Sequence, residues 1–439
     1  MATITDTDQE LSTHIDPVEQ LNRDLRKAAT SLGPNEARFL VDRFYQVQHF
    51  RIRTAAQIRS EQETQEPNLI LQWQLSELEK LENNIKTVLG DYAKSHRPGR
   101  WALSVTGIGP VIAACLLAHI DIEKAETAGA IWRFAGLDPT VKWLGKAGAK
   151  TTMEAILGEL GADADPDEII TETELEAILS HADGAYVLSD QEVAYLANHL
   201  GQPTGLLYVT AADPRGHVTL EAVRTKFGPV AGLAVRPAAK SGTLSHAQVI
   251  AVAHATNRAP ASLYRLATNE EGYVTKESLT KALAKRPWNA TLKVVAAFKF
   301  GESAVKVQNR ESDIYGHIFA ERKVEELRRN NMRAVPGSEP TRYVPIVDGQ
   351  PGQFAEQAAH ILETRKIDKA TEAFGWYVKG LLPPAHIHAR ARRYAAKLML
   401  AHYHHVAFES RYGKEPPKPY ILTQPGHTHY LAPPGWPCD

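Results

Sequence analysis

Apolar residues recur at three- and four-residue steps through ARFLVDRFYQVQHFRIRTAAQIRS, which lacks Gly and Pro, and this spacing predicts an amphipathic helix. Glu66-Pro67 interrupts it. Leu71, Leu75, Leu78, Leu81, Ile85 and Val88 then form a near-heptad stripe flanked by Glu and Lys. Two such helices predict a helical hairpin or coiled coil over 21–95, which either packs on its own domain or pairs with a second copy. Residues 1–20 are polar and acidic and read as a disordered leader. The pattern changes at 101–120, WALSVTGIGPVIAACLLAHI, where a short apolar helix, the turn Gly107-Ile108-Gly109-Pro110 and an Ala-rich helix follow one another within a segment bounded at 96–143.

Past Trp143 the chain turns acidic: from Ala147 to Glu192 the one basic side chain is Lys150. An inserted module is expected over 144–287, and it carries a duplication. The stretches beginning at Ser189 and Ser245 align without gaps at an offset of 56 residues, pairing Val193 with Val249, Tyr208 with Tyr264 and Gly216 with Gly272. Each copy reads as helix, Pro turn, helix, Gly turn and Thr-capped helix. Two architectures fit: a degenerate EF-hand array, or helix-turn-helix units with cores LANHLGQPTGLLYVTA and VAHATNRAPASLYRLAT. Asp163, Asp165, Asp167 and Glu174 occupy positions of a calcium loop, but Glu168 stands where the sharp turn needs Gly, so Ca2+ at 163–174 is not expected. A second core segment follows at 288–330, a Pro/Gly-containing connector at 331–382, a basic closing helix at 383–415 and a Pro/His-rich tail at 416–439. The expected fold is mainly α: a long helical hairpin and a helix-hairpin-helix core, interrupted by an all-helical repeat insert.

A net charge of −1 over 439 residues excludes a global attraction to nucleic acid, so any such attraction must be local. The closing helix supplies a patch. Between Glu372 and Glu409 there is no acid, while Lys379, Arg390, Arg392, Arg393 and Lys397 are basic and Tyr394, Tyr403 and Phe408 interleave. His386, His388, His402, His404, His405, His427 and His429 also gather here. No Cys is near and the nearest acid is Glu409, so no metal site is assigned. Cys115 and Cys438 are far apart in sequence, which argues against a disulfide framework. With no apolar stretch near the roughly 18 residues of a membrane span and no signal-peptide pattern, a cytoplasmic protein with no membrane partner is expected.

The Gly107 turn offers backbone N–H groups at a helix start, where a phosphate can sit. Gly107, Ile108 and Gly109 are therefore candidate DNA-backbone contacts. TGIGPVIAACLLAHI followed by AGAIWRFAGLDP resembles the C-terminal domain of IS-one-ten type insertion-sequence transposases, in which such a hairpin precedes an A-x-x-A-G-L-x-P motif. PWNATLKVVAAFKFGESAVK is similar to a second family block, and Arg390–His405 to its closing helix. The resemblance implies that Ser303 is the nucleophile that attacks DNA, although it follows Gly301-Glu302 where the family has Arg. Lys299 and Lys306, at −4 and +3 from Ser303, share its helical face and join Arg390, Arg392, Arg393 and Lys397 as candidate phosphate contacts. The resemblance also implies an RNase-H-like domain whose four acids bind a divalent metal, with Mg2+ as cofactor if the chain is catalytic. The sequence shows no G-I-D-x-[SH] strand of that domain. The expected function is that of a DNA-binding transposase or recombinase, and the alternative is a non-catalytic DNA-binding relative. DNA is the expected partner, RNA a further candidate, and self-association is expected through the N-terminal helices.

Overall fold

Helices account for nearly all regular structure in the computed structural model, which describes residues 21, 23–64, 68–160, 172–180, 186–228, 230, 242–417 and 430–437. The described residues fall into two units, one within 1–121, 294–416 and 424–439, the other within 122–293 and 417–423. The leader 1–20, His427 and His429 lie outside the described residues.

The first unit opens with α1 (Arg23–Ala29), α2 (Pro34–Thr64) and α3 (Leu69–Ser95). The last two form the hairpin their periodicity predicts. Arg51 of α2 pairs with Glu82 of α3 at 2.5 Å, and Arg26 of α1 with Asp91 at 2.8 Å. Then come α4 (Arg97–Ser104) and α5 (Pro110–His119). Val111, Ala113, Ala114, Cys115, Leu116 and Ala118 are all buried, so α5 is covered on almost every side. Its small residues let α2, α3 and α4 pack closely around it.

The second unit holds α6 (Ala128–Phe134), α7 (Gly145–Leu160) and α8 (Glu172–Leu179) before the duplication. The first copy is α9 (Asp190–His199), α10 (Thr204–Thr210) and α11 (Leu220–Phe227). The second is α12 (His246–Ala255), α13 (Pro260–Ala267) and α14 (Lys276–Ala284), and α15 (Ala290–Lys293) closes the unit. Equivalent residues do equivalent work. Ser189 and Ser245 each build a capping box, with Glu192 and Gln248, and Thr219 and Thr275 cap the third helices. The copies face each other through Tyr208 and Tyr264, stacked at 4.7 Å and 8°. The Gly216 turn abuts Ala261 of α13, and the Gly272 turn abuts Leu206 of α10, so the packing is reciprocal. One hydrophobic core joins both copies with Ala149 and Met153 of α7. Residues 163–171 of the candidate calcium loop lie outside the described residues. In the Gly216 turn, Asp213 Oδ1 accepts from the Arg215, Gly216 and His217 amides at 2.8–2.9 Å, so this carboxylate closes the turn itself.

The chain returns to the first unit through a π-helical segment (Val294–Phe300), α16 (Gly301–Val307) and α17 (Ile314–Arg329). Strands β1 (Met332–Ala334) and β2 (Tyr343–Pro345) pair antiparallel, and α18 (Ala355–Thr364), α19 (Glu372–Val378) and α20 (Pro384–Tyr412) follow. The stretch 331–382, expected as a connector, contributes a small core of Met332, Ala358, Ile361, Leu381 and Leu382 with Leu327 and Ile387. Its anchor is the buried Asn330, whose amide donates to Leu382 O at 2.8 Å and accepts from Leu382 N at 2.9 Å. Helix α20 lies along α17 and also touches α4, α16 and the π-helical segment. It stops at Gly413, which adopts the left-handed conformation of a helix C-terminus.

Candidate nucleic-acid interface

Helices α4 and α5 are joined by Val105-Thr106-Gly107-Ile108-Gly109. Gly107 has φ +91, a conformation that costs an L side chain energy, and the buried Ile108 ties the turn into the core. Gly109 is the N-cap of α5 with ordinary extended dihedrals, and no side chain caps the helix. Pro110 carries no N–H, so the first-turn donors of α5 are the amides of Val111 and Ile112, which have no partner within the helix. Nothing stands within 4 Å of the place a Gly109 side chain would take. The helix start is thus uncapped beside open space, with the positive end of the helix dipole behind it.

Ser303 stands next to this turn. A Cβ on Gly107 would lie 3.4 Å from Ser303 Oγ and 3.5 Å from Val307 Cγ2. The two residues belong to blocks on opposite sides of the inserted repeats in sequence, and the fold of the first unit brings them together. A second link joins the Thr106 and Ser312 hydroxyls at 3.1 Å, a contact with no sequence signal. Ser303 is half-buried on α16, between exposed Glu302 and exposed Lys306. Lys299 lies in the π-helical turn before α16, and its ammonium sits 5.3 Å from the centroid of the Tyr45 ring. A π turn advances by more residues than an α turn, so an α-helical count of −4 does not by itself set Lys299 on the face of Ser303.

The closing helix meets acids that lie elsewhere in sequence. Arg390 donates to Glu326 of α17 at 2.6 Å, and its guanidinium covers the Phe354 ring at 4.2 Å. Glu326 is buried and also pairs with Arg322, so it is held between two arginines. Arg392 lays its stem against Gly301 and brings Nη1 within 3.8 Å of Glu302, while its Nε is buried without a hydrogen-bond partner. Arg393 is exposed as a residue, but partial burial of its guanidinium, and then Arg390 and Arg392, lower its pKa below the ordinary guanidinium value. Lys397 is half-buried one turn further on. The run without acids in the sequence is therefore not a run of unpaired charge in space.

The histidines of α20 are used within the fold. As a neutral ring, His402 accepts from the Tyr315 hydroxyl at Nδ1 (2.7 Å) and donates from Nε2 to Leu431 O (2.9 Å). Burial pushes its pKa down to about 4. His386 falls to about 4 as well, through burial and then Arg393 and Arg390. His388 packs on Phe319, and His405 lies 3.3 Å from Glu409. A buried carboxylate that the sequence did not flag is Asp313, the N-cap of α17, which accepts from Gly316 N at 3.0 Å. Burial raises its pKa despite that bond.

Among the described residues no three His, Cys, Asp or Glu side chains converge as a metal site. These residues do not supply the donor set that the resemblance attaches to a divalent ion. Among them, too, no helix is long and apolar enough to cross a membrane. No curated protein and no solved structure matches the chain. A family model does match, over residues 100–156, a span that holds α4, the Gly107 turn, α5 and the Ala135-Gly136-Leu137-Asp138-Pro139 motif. That model is described as the Transposase IS116/IS110/IS902 family, and over this span the resemblance read from the hairpin block is to transposases of that family.

Proposed function

We propose that this chain binds DNA through the Gly107–Gly109 turn and takes part in transposase-type strand exchange, with Ser303 as nucleophile. The observation that carries this reading is the approach of Ser303 Oγ to Gly107, which sets a hydroxyl beside a helix start suited to a phosphate. In the reaction, Ser303 Oγ gives up its proton and bonds to phosphorus. One P–O bond of the DNA backbone breaks, and the departing sugar oxygen takes up a proton. In this reading Arg392 and the exposed Lys306 and Arg393 are the cations that offset phosphoryl charge. Arg390, committed to Glu326, positions α20 against α17 instead. Self-association through α2 and α3 belongs to the same reading, supported by Leu69, Ile70 and Trp73, which are 65–77% exposed on the first turns of α3.

The test is incubation of the full chain with supercoiled DNA and Mg2+, followed by denaturing electrophoresis. Wild type should nick the DNA and leave a covalent protein–DNA adduct, and Ser303→Ala should bind without forming one. Binding with no adduct from wild type would reject the nucleophile and leave the chain a DNA-binding relative without this chemistry.

A further inference from the structure

The second unit carries a cationic, aromatic-edged cleft that the hairpin reading does not use. Its volume is about 390 Å3, and its walls include Arg133, Phe134, Asn257, Arg258, Arg286 and Trp288. Three stretches meet here: the end of α6, the α12–α13 turn of the second repeat, and the segment that leaves the repeats. Gly136, at φ +63, lets this happen, because a Cβ there would lie 2.7 Å from Trp288 Cγ. Arg133 donates to Asn257 Oδ1 at 3.3 Å and lies 3.3 Å from Asp138, so one of the three guanidiniums is partly neutralised. The other two are not. Arg258 is 9% exposed and bonds only the Leu283 and Lys285 carbonyls, at 3.0 Å each, and Arg286 stacks 4.7 Å over the Trp143 ring. Among the described residues neither has a carboxylate within ion-pair distance.

A desolvated guanidinium without a counter-ion is costly, and an incoming anion relieves that cost. Trp143 is 48% exposed with its indole fixed by a 2.9 Å bond to Ala284 O, and Phe134 is 41% exposed. Flat rings beside unpaired guanidiniums are the two elements that hold unpaired nucleotides, phosphate on the cations and base on the rings. The size falls within the roughly 300–1,000 Å3 of small-ligand sites, room for one nucleotide and not for a duplex. We infer that this cleft is a binding site for a nucleotide of single-stranded nucleic acid, its phosphate on Arg258 and Arg286 and its base against Phe134, the Trp288 ring being already covered by the Lys293 ammonium at 3.8 Å. The site lies wholly within the second unit and does not depend on the role of Gly107.

The test is fluorescence anisotropy of the full chain with labelled ten-nucleotide oligothymidylate, ten-nucleotide oligouridylate and a 20-base-pair duplex. Arg286→Glu is compared with Lys226→Glu, the same charge change at an exposed position of α11. At least one single strand should bind wild type, and Arg286→Glu should weaken that binding tenfold or more while duplex binding changes less than twofold. Lys226→Glu should leave both unchanged. A preference between the two single strands identifies the source as DNA or RNA. Phe134→Ala, which leaves all the cations in place, should also weaken single-strand binding. Equal losses from Arg286→Glu and Lys226→Glu, or no single-strand binding by wild type, would overturn the inference. Loss of duplex binding alone in hairpin variants would leave it intact.

Discussion

At the residue scale the clearest consequence concerns His402. Burial lowers its pKa from 6.5 to about 4, against the opposing pull of the Leu431 carbonyl on Nε2, and the neutral ring accepts a hydrogen bond from the Tyr315 hydroxyl at Nδ1. A depressed folded pKa means that the unfolded chain binds the extra proton more readily. The stability this group contributes is complete above about pH 6.5 and is lost as pH falls toward 4. Urea unfolding should therefore show a loss on the order of 2 kcal/mol from this group between pH 7 and pH 4.5. His402→Gln should have a shallower slope over that window, and an unchanged slope would show that the ring is not held neutral. In the sequence His402 is one of seven histidines gathered near the C-terminus with no role assigned, because composition cannot show which ring nitrogens the fold occupies. The partners Tyr315 and Leu431 come from other segments, and only their arrival decides the matter.

At the scale of elements, the repeats were readable where each copy follows its own local rules. Caps at Ser189, Ser245, Thr219 and Thr275 fall where the gapless alignment puts them. What was not readable is that equivalent tyrosines meet, since local periodicity says nothing of how one copy faces another. Tyr208 is 1% exposed, stacks on Tyr264 and donates its hydroxyl to Asp190. Truncating such a ring leaves a cavity, so Tyr208→Ala should cost about 3–5 kcal/mol. Tyr208→Phe, which keeps the stack and loses the hydroxyl bond, should cost about 1–2 kcal/mol. Thermal denaturation of the two variants checks both, and equal, small effects would mean that the stack does not hold the copies together. The closing helix shows the same limit. Its extent was legible from its pattern, but Glu326 and Glu302, which draw on Arg390 and Arg392, are distant in sequence.

At the scale of the molecule, the proposed DNA-backbone contact is the Gly107–Gly109 turn. The two glycines separate structure from access. Gly107 needs its positive φ and has Ser303 and Val307 close by, so a side chain there strains the turn by roughly 1–2 kcal/mol. Gly109 has ordinary dihedrals and open space, so a side chain there leaves the fold alone and occupies the place a phosphate would take. The decisive measurement is therefore the affinity of Gly109→Leu for duplex DNA across a salt series, with its melting temperature measured in parallel. Gly109→Leu should melt as wild type does, bind at least tenfold more weakly and show a shallower dependence of log K on log salt. Wild-type affinity and salt slope in a folded Gly109→Leu protein would contradict the proposed contact.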